Sequence, residues 1–159
     1  MSTQLDVIKG VCATLDKMDE RLKSCLPPNM SVGHFIATAK NAIQTHPQLD
    51  KLLACDRRTL FAACEKCASD GLIADGREAA LVPFGNVVQY MPMTQGLVKL
   101  ARNSGEISNL TAEVVYETDN FSFKVGDSIP THEPDWFGDR GEPIGAYAYV
   151  KLTNGEYIV

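Results

Sequence analysis

No apolar run among the 159 residues approaches the roughly 20 that a membrane-spanning helix needs, and the opening MSTQLDVIKG lacks the basic-then-apolar order of a secretory signal. A soluble, cytoplasmic protein without membrane contact is expected. None of the 12 glycines is followed by lysine, so the G-x-x-x-x-G-K-[ST] phosphate loop is missing, and with it any recombinase ATPase of that type. GxSxG, HExxH and GxGxxG are missing too, which leaves no support for a nucleophilic, zinc-peptidase or hydride-transfer enzyme. No catalytic residue is assigned and no cofactor is expected.

Basic residues are scarce in one region only. Fifteen Lys and Arg against twenty Asp and Glu leave a formal charge of −5, which taken as an average argues against a polyanionic partner. Residues 1–50 hold five bases and five acids, residues 51–110 seven and six, and residues 111–159 three and nine. The acidity belongs to the last third, so the near-neutral middle is where an anion can be held.

The five cysteines, Cys12, Cys25, Cys55, Cys64 and Cys67, are odd in number and spread over two thirds of the chain, as expected of reduced, buried side chains. Cys64-Glu-Lys-Cys67 is the one CxxC. A zinc site there would have to recruit Cys55, His34, His46 or His132 at no recognisable spacing. Leu60, Cys64 and Cys67 fall at i, i+4, i+7, so core packing is the expected role and metal or redox chemistry the alternative; no metal ligand is assigned. Glu133, Asp135, Asp139 and Glu142 lie in a Pro- and Gly-rich stretch that reads as a solvated loop. The three histidines read as surface or capping residues.

The chain divides into a helical part and a β-rich part. Ile8, Val11, Leu15, Met18 and Leu22 alternate steps of three and four, a narrow helical seam that another helix must cover. That helix ends before Pro27-Pro28. Ser31 can cap a second helix to about Thr45 with Phe35, Ile36, Ala39 and Ile43 inward, and Asp56 can cap a third that stops at Gly71. AALVPF and VVQYM joined by Gly85-Asn86 form a hairpin, with Pro83 and Pro92 restricting its strands to edges or ends. MTQGLVKLARNSG is a helix with Leu97, Leu100 and Ala101 inward. NLTAEVVYE and FSFKV are strands turning at Asp119-Asn120, then comes the acidic loop, then a hairpin about Asn154-Gly155 whose second strand has barely begun when the sequence stops, as though cut. The fold class is α+β: N-terminal helices, then an antiparallel sheet of hairpins with an inserted helix. Residues 1–26 form the amphipathic helix and 27–159 the core.

In the inserted helix Lys99 and Arg102 are three apart, opposite Leu97 and Ala101, with Gln95 and Asn103 as polar neighbours. Tyr90 closes the preceding strand. Bases on a helix beside an aromatic strand end can track a phosphate backbone while a ring stacks on bases, although such a helix is more commonly just solvated.

LPPNMS at 26–31, RTLFAACEKCASDGL at 58–72, ALVPFGNVVQYMPM at 80–93, QGLVKLARNSGEI at 95–107 and VVYETDNFSF at 114–123 carry, in order and spacing, a resemblance to the RecT family of phage-type single-strand annealing proteins. The most specific part is the hairpin, then Gly-Leu-x-x-x-Ala-Arg-x-Ser-Gly, then a strand and Asp-x-Phe-x-Phe. The resemblance spans Pro27 to Val159. It implies a RecT/Red beta-like fold and a protein of a bacterial or phage-infected cell that coats single-stranded DNA as a ring or helical homo-oligomer. It also implies annealing to a complementary strand, leaving annealed duplex, without ATP; Mg2+ can accompany the DNA. A phage exonuclease and a host single-strand-binding protein are the implied partners.

By position, Lys99 and Arg102 fall in the helix expected to face DNA, and Arg77 before the hairpin is an implied phosphate contact. Where many members carry aromatic-basic-Gly, this chain has Thr94-Gln95-Gly96, and Gln95 neutralises no phosphate. Family members continue past this point. The N-terminal seam either joins protomers or packs within one. An oligomerising module without DNA binding and a Cys-based metal or redox protein are the alternatives.

Overall fold

The computed structural model describes residues 4–159, which fall into two compact units, one ending at Lys99 and one running Leu100–Val159. The first holds α1 (Gln4–Lys17), α2 (Asp19–Cys25), α3 (Val32–Gln44), α4 (Leu49–Ala54), α5 (Arg57–Ser69) and the hairpin β1 (Ala79–Phe84) and β2 (Val87–Pro92). Helix α6 (Thr94–Asn103) starts in it and finishes in the second, which adds β3 (Ile107–Tyr116), β4 (Asn120–Ser122), β5 (Thr131–Glu133), β6 (Pro143–Leu152) and β7 (Tyr157–Ile158). The class is α+β, as expected.

The expected first helix is two, because Met18 leaves the helical register between α1 and α2 at φ −87° and ψ 6°. The seam survives the break. Val11, Leu15 and Leu22 are fully buried, and α1 and α2 pack on α3 while α2 also meets α5. These three seam residues are covered inside the protomer, while Ile8 and Met18 are half-buried. Helix α3 has the Ser31 cap, with its hydroxyl accepting the His34 N–H at 3.4 Å, and buries Phe35, Ile36, Ala39 and Ile43 as the periodicity requires. Asp56 caps α5 through Arg58 N–H at 3.0 Å. At its other end Gly71 takes φ +65°, its N–H reaching Ala68 O at 2.9 Å and Leu72 N–H reaching Cys67 O at 3.1 Å. This is a Schellman stop, and a Cβ at 71 would press on Pro27 Cγ at 2.7 Å, so the LPP turn and the end of α5 lock together.

Cys64 and Cys67 lie on the buried stripe of α5 with Leu60. Burial pushes both thiols up to about 12, so at neutral pH they are protonated and pack as small apolar groups.

The hairpin is a two-stranded sheet whose inner face, Ala79, Leu81 and Val88, is buried. Two-stranded ribbons expose unpaired backbone on both sides, and here a side chain engages each edge at one point. His46 Nε2 lies 3.0 Å from Leu81 O on the β1 edge, and Val88 N–H donates to Thr59 Oγ1 at 2.8 Å on the β2 edge. Pro83 and Pro92 lack the N–H that an added strand would use.

In the second unit β6 pairs antiparallel with both β3 and β7, while β4 pairs with β5. The expected turn at Asp119-Asn120 does not pair β3 with the FSFKV strand. Asp119 is drawn inward instead: it accepts Tyr116 N–H at 2.8 Å, His132 Nε2–H at 2.9 Å, and Arg140 Nε–H and Nη2–H at 2.9 and 2.6 Å. Those bonds swing the chain away, so β3 meets β6 and the acidic stretch supplies β5. His132 is thus a buried member of the network, not a surface residue, and its Nδ1 lies 3.1 Å from Tyr147 Oη. Arg140, the first cause, holds the Asp119 carboxyl well below the ordinary carboxylate range, aided by His132 and the Tyr116 amide.

Candidate nucleic-acid interface

Helix α6 is placed by its glycine. Gly96 is buried, and a Cβ there would overlap the carbonyl oxygen of Glu78 and press on Leu72 Cδ1 at 2.8 Å. The same carbonyl accepts Met93 N–H at 2.9 Å, so the start of α6 is fastened to the residue before β1. This contact rotates the helix from the expected orientation. Leu97, expected inward, is 54 % exposed, and Leu100 and Ala101 are only half-buried. The inward face is set by a glycine, which carries no hydrophobic signal.

Lys99 sits one turn after Gly96, and its ammonium donates to both Glu78 oxygens at 2.8 and 3.0 Å. Glu78 Oε2 also accepts Ile73 N–H at 3.1 Å. Arg77 is exposed, with its Nε 3.8 Å from Asp75 Oδ2, and Asp75 Oδ1 accepts the N–H groups of Arg77 and Glu78 at 2.9 and 2.7 Å. Burial alone would raise the Asp75 carboxyl; those backbone bonds and the Arg77 charge outweigh it and hold it below its ordinary value. The loop 75–78 therefore pairs a carboxylate with each of two basic residues expected to touch phosphate. Glu78 and Asp75 escaped the reading of the sequence, although two acids flanking Arg77 were its available sign.

Arg102 is exposed one turn beyond Lys99, and among the described residues no carboxylate pairs with it. Gln95 and Asn103 are exposed on the same helix. Tyr90 is placed differently: half-buried, it donates its hydroxyl to Asp70 Oδ2 at 2.8 Å, and burial first, then Asp70, pushes its ionisation up. Its ring lines a groove of about 480 Å³ between α5 and β2 with Thr59, Ala62, Lys66 and Gln89.

Among the described residues no three His, Cys, Asp or Glu come together as a metal site, and no helix is long and apolar enough to cross a membrane. Asp135 and Asp139 each accept backbone N–H groups of their own loop.

These features define an α+β protein in which a two-stranded hairpin is followed by a glycine-fastened helix bearing cations and amides. Residues 33–159 match the RecT family model. The chain is 34 % identical over 150 residues to Protein RecT of Escherichia coli (strain K12), an alignment covering 87 % of this chain and 54 % of that protein. The chain belongs to the RecT family, and it spans about half the length of the curated relative it matches.

Proposed function

We propose that this chain binds single-stranded DNA and anneals it to a complementary strand in phage-type recombination, without ATP and without a catalytic centre. Membership of the RecT family over 33–159 carries the reading. Exposed side chains along α6 support it: Arg102 offers a phosphate a guanidinium that pairs with no carboxylate among the described residues, and Gln95 near the start of the helix and Asn103 at its end offer amide donors that suit phosphate or sugar oxygens. Lys99 reaches phosphate by dividing its ammonium between phosphate and Glu78 or by leaving Glu78, whereas Arg77 is exposed and meets Asp75 only loosely, at 3.8 Å through Nε. Tyr90 lines the groove between α5 and β2, where an aromatic ring suits stacking on a base.

Annealing of two complementary labelled oligonucleotides, followed by energy transfer without nucleotide, tests the proposal. The expected outcome is acceleration over the protein-free rate. A rate equal to that of the strands alone, with no oligonucleotide retained by the protein, rejects it and leaves a module that does not bind DNA.

A further inference from the structure

We infer that Glu78 is a built-in competitor for the DNA phosphate at Lys99, setting how tightly the chain holds single-stranded DNA. The inference deepens the DNA-binding reading and rests on it. An incoming phosphate presents to an ammonium what Glu78 already presents: two oxygens of an anion, here at 2.8 and 3.0 Å. The position is enforced from two sides. The Gly96 contact fixes α6 on the Glu78 backbone, so Lys99, one turn later, is delivered to the Glu78 side chain. Ile73 N–H holds Oε2, so the carboxylate keeps a partner and stays in place when Lys99 leaves. Both side chains are partly open to solvent, at 34 % for Lys99 and 21 % for Glu78, so the exchange needs no unfolding. Lysine suits the role, being a point charge on a flexible four-carbon stem rather than a rigid fork. Asp75 repeats the arrangement more loosely for Arg77 in the same loop.

Exchange of one anion for another at a single ammonium is close to balanced, and that is its use to a protein that must both coat a strand and release it as duplex. A partly exposed pair of this kind is worth about two- to five-fold in an equilibrium constant. Glu78→Gln keeps an acceptor for Ile73 and removes the charge that competes for Lys99.

The test measures binding of fluorescein-labelled oligo(dT) to the full chain by anisotropy across a salt series, for wild type, E78Q, K99Q and E78Q/K99Q. E78Q is expected to bind about two- to five-fold tighter, with a salt slope steeper by part of the about 0.7 that one full single-strand phosphate contact is worth, since Lys99 already meets phosphate part of the time in the wild type. Adding K99Q is expected to erase both gains. Wild-type binding that E78Q leaves unchanged or weakens overturns the assignment of Glu78 while the DNA reading stands; no binding by either protein overturns both. If E78Q loses its cooperative melt, the wild-type Lys99 ammonium signal, identified by its loss in K99Q, is followed by NMR as oligo(dT) is added. Displacement supports the exchange, and a signal that stays put overturns it.

Discussion

Gly10 and Gly96 both sit within helices, and alanine has opposite effects at the two. A Cβ at Gly10 meets nothing within 4 Å, so Gly10→Ala is expected to stabilise the chain by about 1 kcal/mol through helix propensity. At Gly96 the added atom strikes Glu78 backbone, which cannot step aside as a flexible side chain would. Overpacking of that sort costs about 1–3 kcal/mol, which outweighs the propensity gain, so Gly96→Ala is expected to lower the melting temperature and Gly10→Ala to raise it. Asp119 gives a residue-level pH dependence. Its native carboxyl titrates below the ordinary value of about 3.9, so the stability it contributes is present above that pH and is lost as pH falls through the lower native value. Trp136, the one tryptophan, lies 5.4 Å from Arg140, the ion partner of Asp119, and reports on this unit. Acid titration of its fluorescence is expected to show a transition below about pH 4 that Asp119→Asn, already less stable at neutral pH, lacks as a separate step.

Among elements, α1 and α2 carry the N-terminal seam, and its buried residues are expected to act within the protomer. Leu15 is fully buried, so Leu15→Ala is expected to cost about 2–5 kcal/mol in denaturant unfolding without altering the light-scattering mass of the folded protein. A change of mass with unchanged stability would return the seam to a role between protomers. What could be read from the sequence follows the range of the forces involved. Helices α3 and α5 were legible because cap, period and stop are written within about fifteen residues, and the β1–β2 turn needs only Gly85-Asn86. Helix α4 has six residues, too few to show a period, and it escaped notice. The pairing of β3 with β6 escaped as well, because it depends on Asp119 reaching His132 and Arg140 across the intervening loop. The site followed the same rule: Arg102 was recognisable as an exposed base from its helix, whereas the pairing of Lys99 by Glu78 depends on a tertiary contact at a glycine.

For the whole molecule, charge is divided rather than merely negative. Residues up to Lys99 hold eleven bases and ten acids, and residues 100–159 hold four and ten, so the net +1 and −6 fall to the two units. A −5 chain gains no general attraction to a polyanion, so the proposed binding of DNA must come from a few contacts within a Debye length of about 8–10 Å. Binding that depends on few phosphates has a shallow salt slope, about 0.7 per contact on a single strand. Each basic residue then contributes in proportion to the phosphate it actually neutralises. Among the described residues Arg102 has no acidic partner to desert, so Arg102→Ala is expected to flatten the slope of log affinity against log salt by about 0.7. Lys99 spends part of its time on Glu78, so Lys99→Ala is expected to flatten it by less. Oligo(dT) anisotropy at several salt concentrations separates the two variants. Equal losses would mean that DNA strips Lys99 fully from Glu78, and a slope unmoved by Arg102→Ala would take the end of α6 off the DNA path.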